Sequence, residues 1–180
     1  MKLVGRWINK IRKVGETEWQ THDEGEIDWG YNQIQNTFAT LLASLCRDEH
    51  LAEPYHGRIA YMAIGSGLVG WDASPPAQPY ANTTLTTEYF RKFIPQADIV
   101  FIDPITNIAT GGVPSSKLEI TVELLSVEAN GTLREFGLFG GDGTISLDSG
   151  DMVNWIVHSK IVKDSSLEIQ RIVRLEFVTL

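Results

Sequence analysis

Gly65-Ser66-Gly67-Leu68-Val69-Gly70 has the spacing of a dinucleotide-binding fingerprint, and Glu88 stands near the distance at which an acidic residue would meet a ribose. That chemistry needs the third glycine to open a helix whose N-terminal amides face the pyrophosphate. Here the chain continues Trp71-Asp72-Ala73-Ser74-Pro75-Pro76, which cannot supply such a helix. The histidines, His22, His50, His56 and His158, are scattered. None stands at metal-ligand spacing from a cysteine or another histidine, so a zinc site is not expected. Asp142-Gly143-Thr144 and Asp148-Ser149-Gly150-Asp151 look like fragments of calcium loops, but neither closes with a bidentate glutamate, and turn chemistry accounts for them. Carboxylate pairs of the kind that cleave glycosides are abundant in an acidic chain, and nothing selects one pair. Cys46, the single cysteine, ends an apolar helical pattern and reads as a small buried hydrophobe. The expectation is a protein without catalytic residues, metal or cofactor.

The whole chain points the same way. Fifteen Lys and Arg against 23 Asp and Glu give a net charge of -8, which repels a phosphate backbone, so nucleic acid is not an expected partner. The local exception is the start, where Lys2, Arg6, Lys10, Arg12 and Lys13 cluster among Trp7 and Trp19. No apolar run approaches membrane-spanning length, and the opening Met-Lys-Leu-Val-Gly-Arg-Trp does not read as a secretory leader. No membrane partner is expected; the protein should be made in the cytoplasm and leave it only within an assembled particle.

The elements that would position these residues are mostly strands. Hydrophobic residues make up 43% of the chain, enough for a core. Residues 1–30 read as an extended N-terminal arm of strands, and residues 31–180 as an antiparallel β-sandwich domain. Ile34, Phe38, Leu41, Leu42 and Leu45 recur at helical spacing, predicting one amphipathic α-helix over 32–46 with Asn32 as its cap. Arg58–Ile64 reads as a buried strand, Gly65–Thr84 as a long loop, and Ala97–Ile102 as a strand. Leu118, Ile120, Val122 and Leu124 alternate, and Asn130-Gly131 predicts a tight hairpin to the strand carrying Leu133, Phe136 and Leu138. Val153–Val162 is a further strand. The last segment alternates most clearly, with Leu167, Ile169, Val173, Leu175 and Phe177 on one face and Arg171 as a charged break in that row. The fold class is therefore mainly β.

Several short motifs follow one another in a recognisable order: Asn32 to Leu45; Tyr61-Met62-Ala63-Ile64-Gly65-Ser66-Gly67; Leu85-Thr86-Thr87-Glu88-Tyr89-Phe90-Arg91; Glu135-Phe136-Gly137-Leu138-Phe139; and Leu167 to Phe177. In this order they resemble a recurrent type of phage tail-associated virion protein, over most of the chain. The helix entry Asn32-Gln33-Ile34 and the proline content of Leu68 to Ala81 depart from that type. The resemblance implies a structural part of the neck, collar, fibre attachment or baseplate, of a kind that contractile injection particles also reuse. It also implies partners that are further copies of the chain and neighbouring virion proteins.

On that reading Gly65, Gly67 and Gly137 serve backbone geometry, and Glu88, Arg91 and Glu135 form a charge cluster that fixes the long loop against the sheet. Lys2, Arg6, Trp7, Lys10, Arg12 and Trp19 would form the assembly interface of a homo-oligomer, the arm adding a strand to a neighbour. The reading from a different class is a carbohydrate- or receptor-binding module of a tail fibre, using Trp71 and Tyr80 of the long loop.

Overall fold

The computed structural model describes residues 2–21, 30–34, 58–74, 76–77, 81–103, 105–113, 115 and 117–178. The strands are β1 (Lys2–Lys13), β2 (Gln20–Thr21), β3 (Gly30–Ile34), β4 (Tyr61–Gly65), β5 (Glu88–Phe93), β6 (Ile99–Phe101), β7 (Lys117–Leu124), β8 (Gly131–Gly140), β9 (Asp151–Lys163) and β10 (Leu167–Val178). The protein is mainly β, with two antiparallel sheets in two compact units. The first unit comprises Met1–Asn32, Pro95–Glu128 and Asp164–Leu180; the second comprises Gln33–Ile94 and Ala129–Lys163.

In the first unit the order is β6-β7-β10-β1, and β2 and the first residues of β3 pair with the far edge of β1. The alternation of β10 works as period two requires. Ile169, Arg171, Val173 and Leu175 are buried on one face, beside Ile120, Val122 and Leu124 of β7. Arg171 is fully buried in that apolar row and stands opposite the buried Asn9 of β1. The other face is laced by cross-strand polar pairs. Arg174 donates to Glu119 at 2.7 Å, Gln170 to Glu123 at 3.0 Å, and Arg12 to Glu168 at 2.9 Å. Such partly exposed pairs contribute roughly 0–1 kcal/mol each and serve mainly to fix register.

In the second unit the order is β5-β4-β8-β9, with Gln33 and Ile34 of β3 paired to β9. β4 is buried along its whole length, and β8 from Leu133 to Gly140. A sheet covered on both faces needs no polar alternation, which is why Phe139 can follow Leu138. At the bulge between Leu138 and Phe139, the Asn154 side chain takes up the Leu138 N–H at 2.8 Å.

Three sequence expectations change. Lys2–Lys13 of the expected arm does not project: it is β1, paired with β10 along its whole length, from Lys2 opposite Val178 to Lys13 opposite Leu167, and positions 22–29 lie outside the described residues. Asn32, Gln33 and Ile34 are strand, with partners on β1 and β9, rather than the start of a helix. Positions 35–46 of the predicted helix lie outside the described residues. Finally, Asn130-Gly131 does not close a β7–β8 hairpin: β7 pairs with β6 and β10, and β8 with β4 and β9. The junction is held by its surroundings. The buried Lys163 donates to Asn130 Oδ1 at 2.8 Å, and the Tyr89 hydroxyl donates to the Ala129 carbonyl at 3.1 Å.

Candidate functional site

The three central motifs meet on neighbouring strands of the second unit. Tyr61, Ala63 and Gly65 of β4 stand opposite Phe139, Gly137 and Glu135 of β8. Arg91 of β5 stands opposite Ala63, and Trp155 of β9 opposite Gly137. Alternation puts all of these on one face. Segments 66–74, 85–87 and 141–150 close over it.

Small residues leave the room for this cover. A Cβ on Gly137 would stand 2.9 Å from the Asn154 carbonyl oxygen and 3.2 Å from the Leu85 side chain. A Cβ on Gly65 would fall 2.5 Å from Glu135 Oε1, so the glycine makes the space that the carboxylate fills. Glu135 is wholly buried and accepts at both oxygens. Oε1 takes the Thr87 N–H at 2.9 Å, and Oε2 takes the Trp155 Nε1–H at 2.8 Å and the Thr86 N–H at 3.1 Å. One side chain thereby ties the segment before β5 to the middle of the sheet.

Arg91 anchors the 141–150 turn. Its guanidinium makes a two-pronged pair with Glu88, Nε to Oε1 at 2.7 Å and Nη2 to Oε2 at 2.8 Å, with both side chains buried. Nη1 donates to the Ser149 carbonyl at 2.5 Å and to the Thr144 carbonyl at 3.3 Å, and the Phe139 ring lies 4.3 Å beneath. Glu88 Oε2 also accepts the Asp148 N–H at 3.1 Å. Asp151, where the turn re-enters the sheet, has its carboxyl pushed up by burial and by the nearby charge of Asp142.

The 66–74 segment has a separate anchor, which the sequence reading missed. Arg134 holds Asp72 with Nε–Oδ1 at 2.7 Å and Nη2–Oδ2 at 2.9 Å, and its Nη1 donates to the Ser66 carbonyl at 3.1 Å. Lys160 Nζ stands 3.3 Å from Asp72 Oδ2. Gly67 turns the chain at φ 55°, a left-handed angle costly for other residues, and a Cβ there would lie 2.5 Å from the Trp71 ring. Trp71 packs edge-on against Trp155, ring centres 6.1 Å apart. The expected single cluster of Glu88, Arg91 and Glu135 is thus two anchors on two segments, and the long loop takes its own. Tyr80 lies outside the described residues.

The hydrogen bonds from Arg134 hold the Asp72 carboxyl at about 2, with help from Lys160 and against the opposing effect of burial, compared with an ordinary 3.8. A carboxyl depressed in the folded state stabilises fully above its unfolded value, and that stabilisation is lost as pH falls through the folded value. Asp72→Asn is therefore expected to melt below the parent protein at pH 7, the gap closing between about pH 4 and pH 2. Thermal melts across that range check it; a gap that stays constant to pH 2 would contradict the assignment.

The residues expected at an assembly interface lie in or beside β1. Lys2 and Arg6 stand in β1 opposite Val178 and Arg174. Trp7 stands opposite Val173 and Gly30, and Lys10 opposite Gln170 and Thr21. Arg12 pairs with Glu168 and lies 4.3 Å over the Trp19 ring. β1 thus has one edge on β10 and parts of the other on β2 and β3. Among the described residues, no group of three or more His, Cys, Asp or Glu is placed to hold a metal. His158 directs Nδ1 to the Ser159 carbonyl at 2.7 Å, and the other histidines lie outside the described residues.

No family model and no curated protein matches the chain. Its charged groups hold loops to a sheet: Glu135 accepts from Thr86 and Thr87, Arg91 donates to the 141–150 turn, and Arg134 donates to Asp72 and Ser66.

Proposed function

We propose that the chain is a non-catalytic structural subunit of a phage tail or of a related contractile particle, at the neck, collar, fibre attachment or baseplate. The observation that carries the reading is the convergence of segments 61–67, 85–91 and 135–139. Residues far apart in sequence form one loop-capped face, and their polar groups are spent on fixing that face. A subunit that transmits load through its surfaces benefits from loops held in one conformation, because ordering them on assembly would cost free energy. On this reading its partners are copies of itself and neighbouring particle proteins.

The reading is tested by mass spectrometry of contractile particles purified from the source cells through a density gradient. The chain should co-sediment with the tail and appear at a fixed copy number per particle. Its absence from washed particles would overturn the reading.

A further inference from the structure

Lys117, the first residue of β7, is buried, and its Nζ donates to Asn107 Oδ1 at 2.6 Å. Glu176, its partner across the β7–β10 ladder, brings Oε2 to 3.8 Å from the same nitrogen. An amine, a carboxamide and a carboxylate thus meet at one atom, and the first unit holds each of them in place. Asn107 adopts φ 58°, and its own N–H reaches the Asp103 carbonyl at 2.9 Å. Asp103 Oδ1 accepts the N–H groups of Ile105 at 2.9 Å and Thr106 at 2.6 Å, which braces the turn that presents the amide. At the lysine end, Ser115 Oγ accepts the Lys117 N–H at 3.2 Å and donates to the Ile102 carbonyl at 2.7 Å.

A buried ammonium is weakly compensated by one amide oxygen and a carboxylate beyond hydrogen-bond reach. The same three groups are those that condense to an amide. We propose that Lys117 and Asn107 join in an intramolecular isopeptide bond, with Glu176 carrying the proton. Glu176 takes a proton from the Lys117 ammonium, and the freed Nζ attacks Asn107 Cγ, one bond from the oxygen it already holds. The Nζ–Cγ bond forms and the Cγ–Nδ2 bond breaks. Nζ gives up two protons in all, relayed through Glu176 to Nδ2, which leaves as ammonium. No oxidant, reductant or cofactor enters. Groups fixed this close gain many orders of magnitude in effective concentration over the same groups mixed in solution. The product is a covalent ring of chain from 107 to 117. It is a single self-reaction without turnover, goes beyond the particle reading and is independent of it.

Intact mass spectrometry of the purified full chain tests it. The parent should weigh one ammonia less than its sequence requires. Trypsin should fail to cut after Lys117 and release peptide 93–134 with the same deficit, since Lys117 is the one tryptic position between Lys92 and Arg134. Lys117→Arg and Asn107→Gly should restore the full mass, and glycine keeps the left-handed angle of position 107 without strain. Glu176→Gln should be purified at full mass and shed ammonia at least about a hundredfold more slowly, with the parent's circular dichroism. A purely structural Glu176 would leave that rate unchanged. A parent that keeps its full mass through prolonged incubation, or a deficit that persists in Lys117→Arg, would overturn the proposal. So would a deficit that leaves the Lys117 cut intact, as a succinimide at Asn130-Gly131 would give.

Discussion

Arg91→Ala is expected to lower stability by about 3–5 kcal/mol, because it leaves the Glu88 carboxylate buried without its counter-charge. For a chain of this size that corresponds to a fall in melting temperature on the order of 10 °C. The same substitution removes the donors that hold the Ser149 and Thr144 carbonyls, so amide exchange should rise across residues 141–150 before it rises elsewhere in the sheet. The paired variant Glu88→Gln/Arg91→Met separates the two effects. Removing both charges avoids the uncompensated one and should recover most of the lost stability, while the turn still loses its anchor. Equal melting of Arg91→Ala and the parent, measured by calorimetry, would show that the pair contributes nothing. Arg174→Ala is the contrast, breaking the partly exposed pair with Glu119 for roughly 1 kcal/mol or less.

Glu135→Ala should cost about 2–4 kcal/mol by a different route. Among the described residues no ion pair is broken; instead a cavity opens beside Gly65, and the Trp155 indole N–H loses its acceptor inside the sheet. Tryptophan fluorescence reports the event directly, since Trp155 and Trp71 share an edge-on contact over this spot. A changed emission spectrum in the folded state together with a lower melting temperature is the expected result. Glu135→Gln should lie between, because an amide retains one acceptor but presents an N–H to at least one of the three donors. A Glu135→Ala protein with the parent's emission and stability would remove this residue from the framework.

The parts of this structure that were legible in advance are those whose pattern is local. β10 writes its two faces directly into alternate positions, down to Arg171 as the odd member of the buried row. β4 reads as one apolar run because both of its faces are covered. What could not be read is the choice of partner. Asn130-Gly131 has the composition of a hairpin turn, and dipeptide chemistry does not say that the strand before it pairs with β10 and the strand after it with β4 and β9. Asn32 to Ile34 begins a run with helical spacing, yet β1 and β9 recruit those residues into a ladder. Arg134 and Asp72 are 62 positions apart, one basic residue and one acid among many. Nothing in their own neighbourhoods singles them out. The motif glycines could be read as backbone devices, but not that Gly65 makes room for Glu135 and Gly67 for Trp71.

The pairing of β1 with β10 sets a schedule as well as a shape. Arg12 and Glu168, joined by hydrogen bond across that ladder, are 156 positions apart in sequence. During synthesis at about 5–20 residues per second, β1 must wait for roughly 8 to 30 seconds before its main partner exists. The β4, β8 and β9 strands of the second unit are complete by Lys163, before β10 begins at Leu167. The basic, tryptophan-bearing first strand therefore spends its early life as an open edge, vulnerable to mispairing and a natural client for a chaperone. Nascent chains stopped before Leu167 should be captured there, whereas chains extended through Val178 should be released.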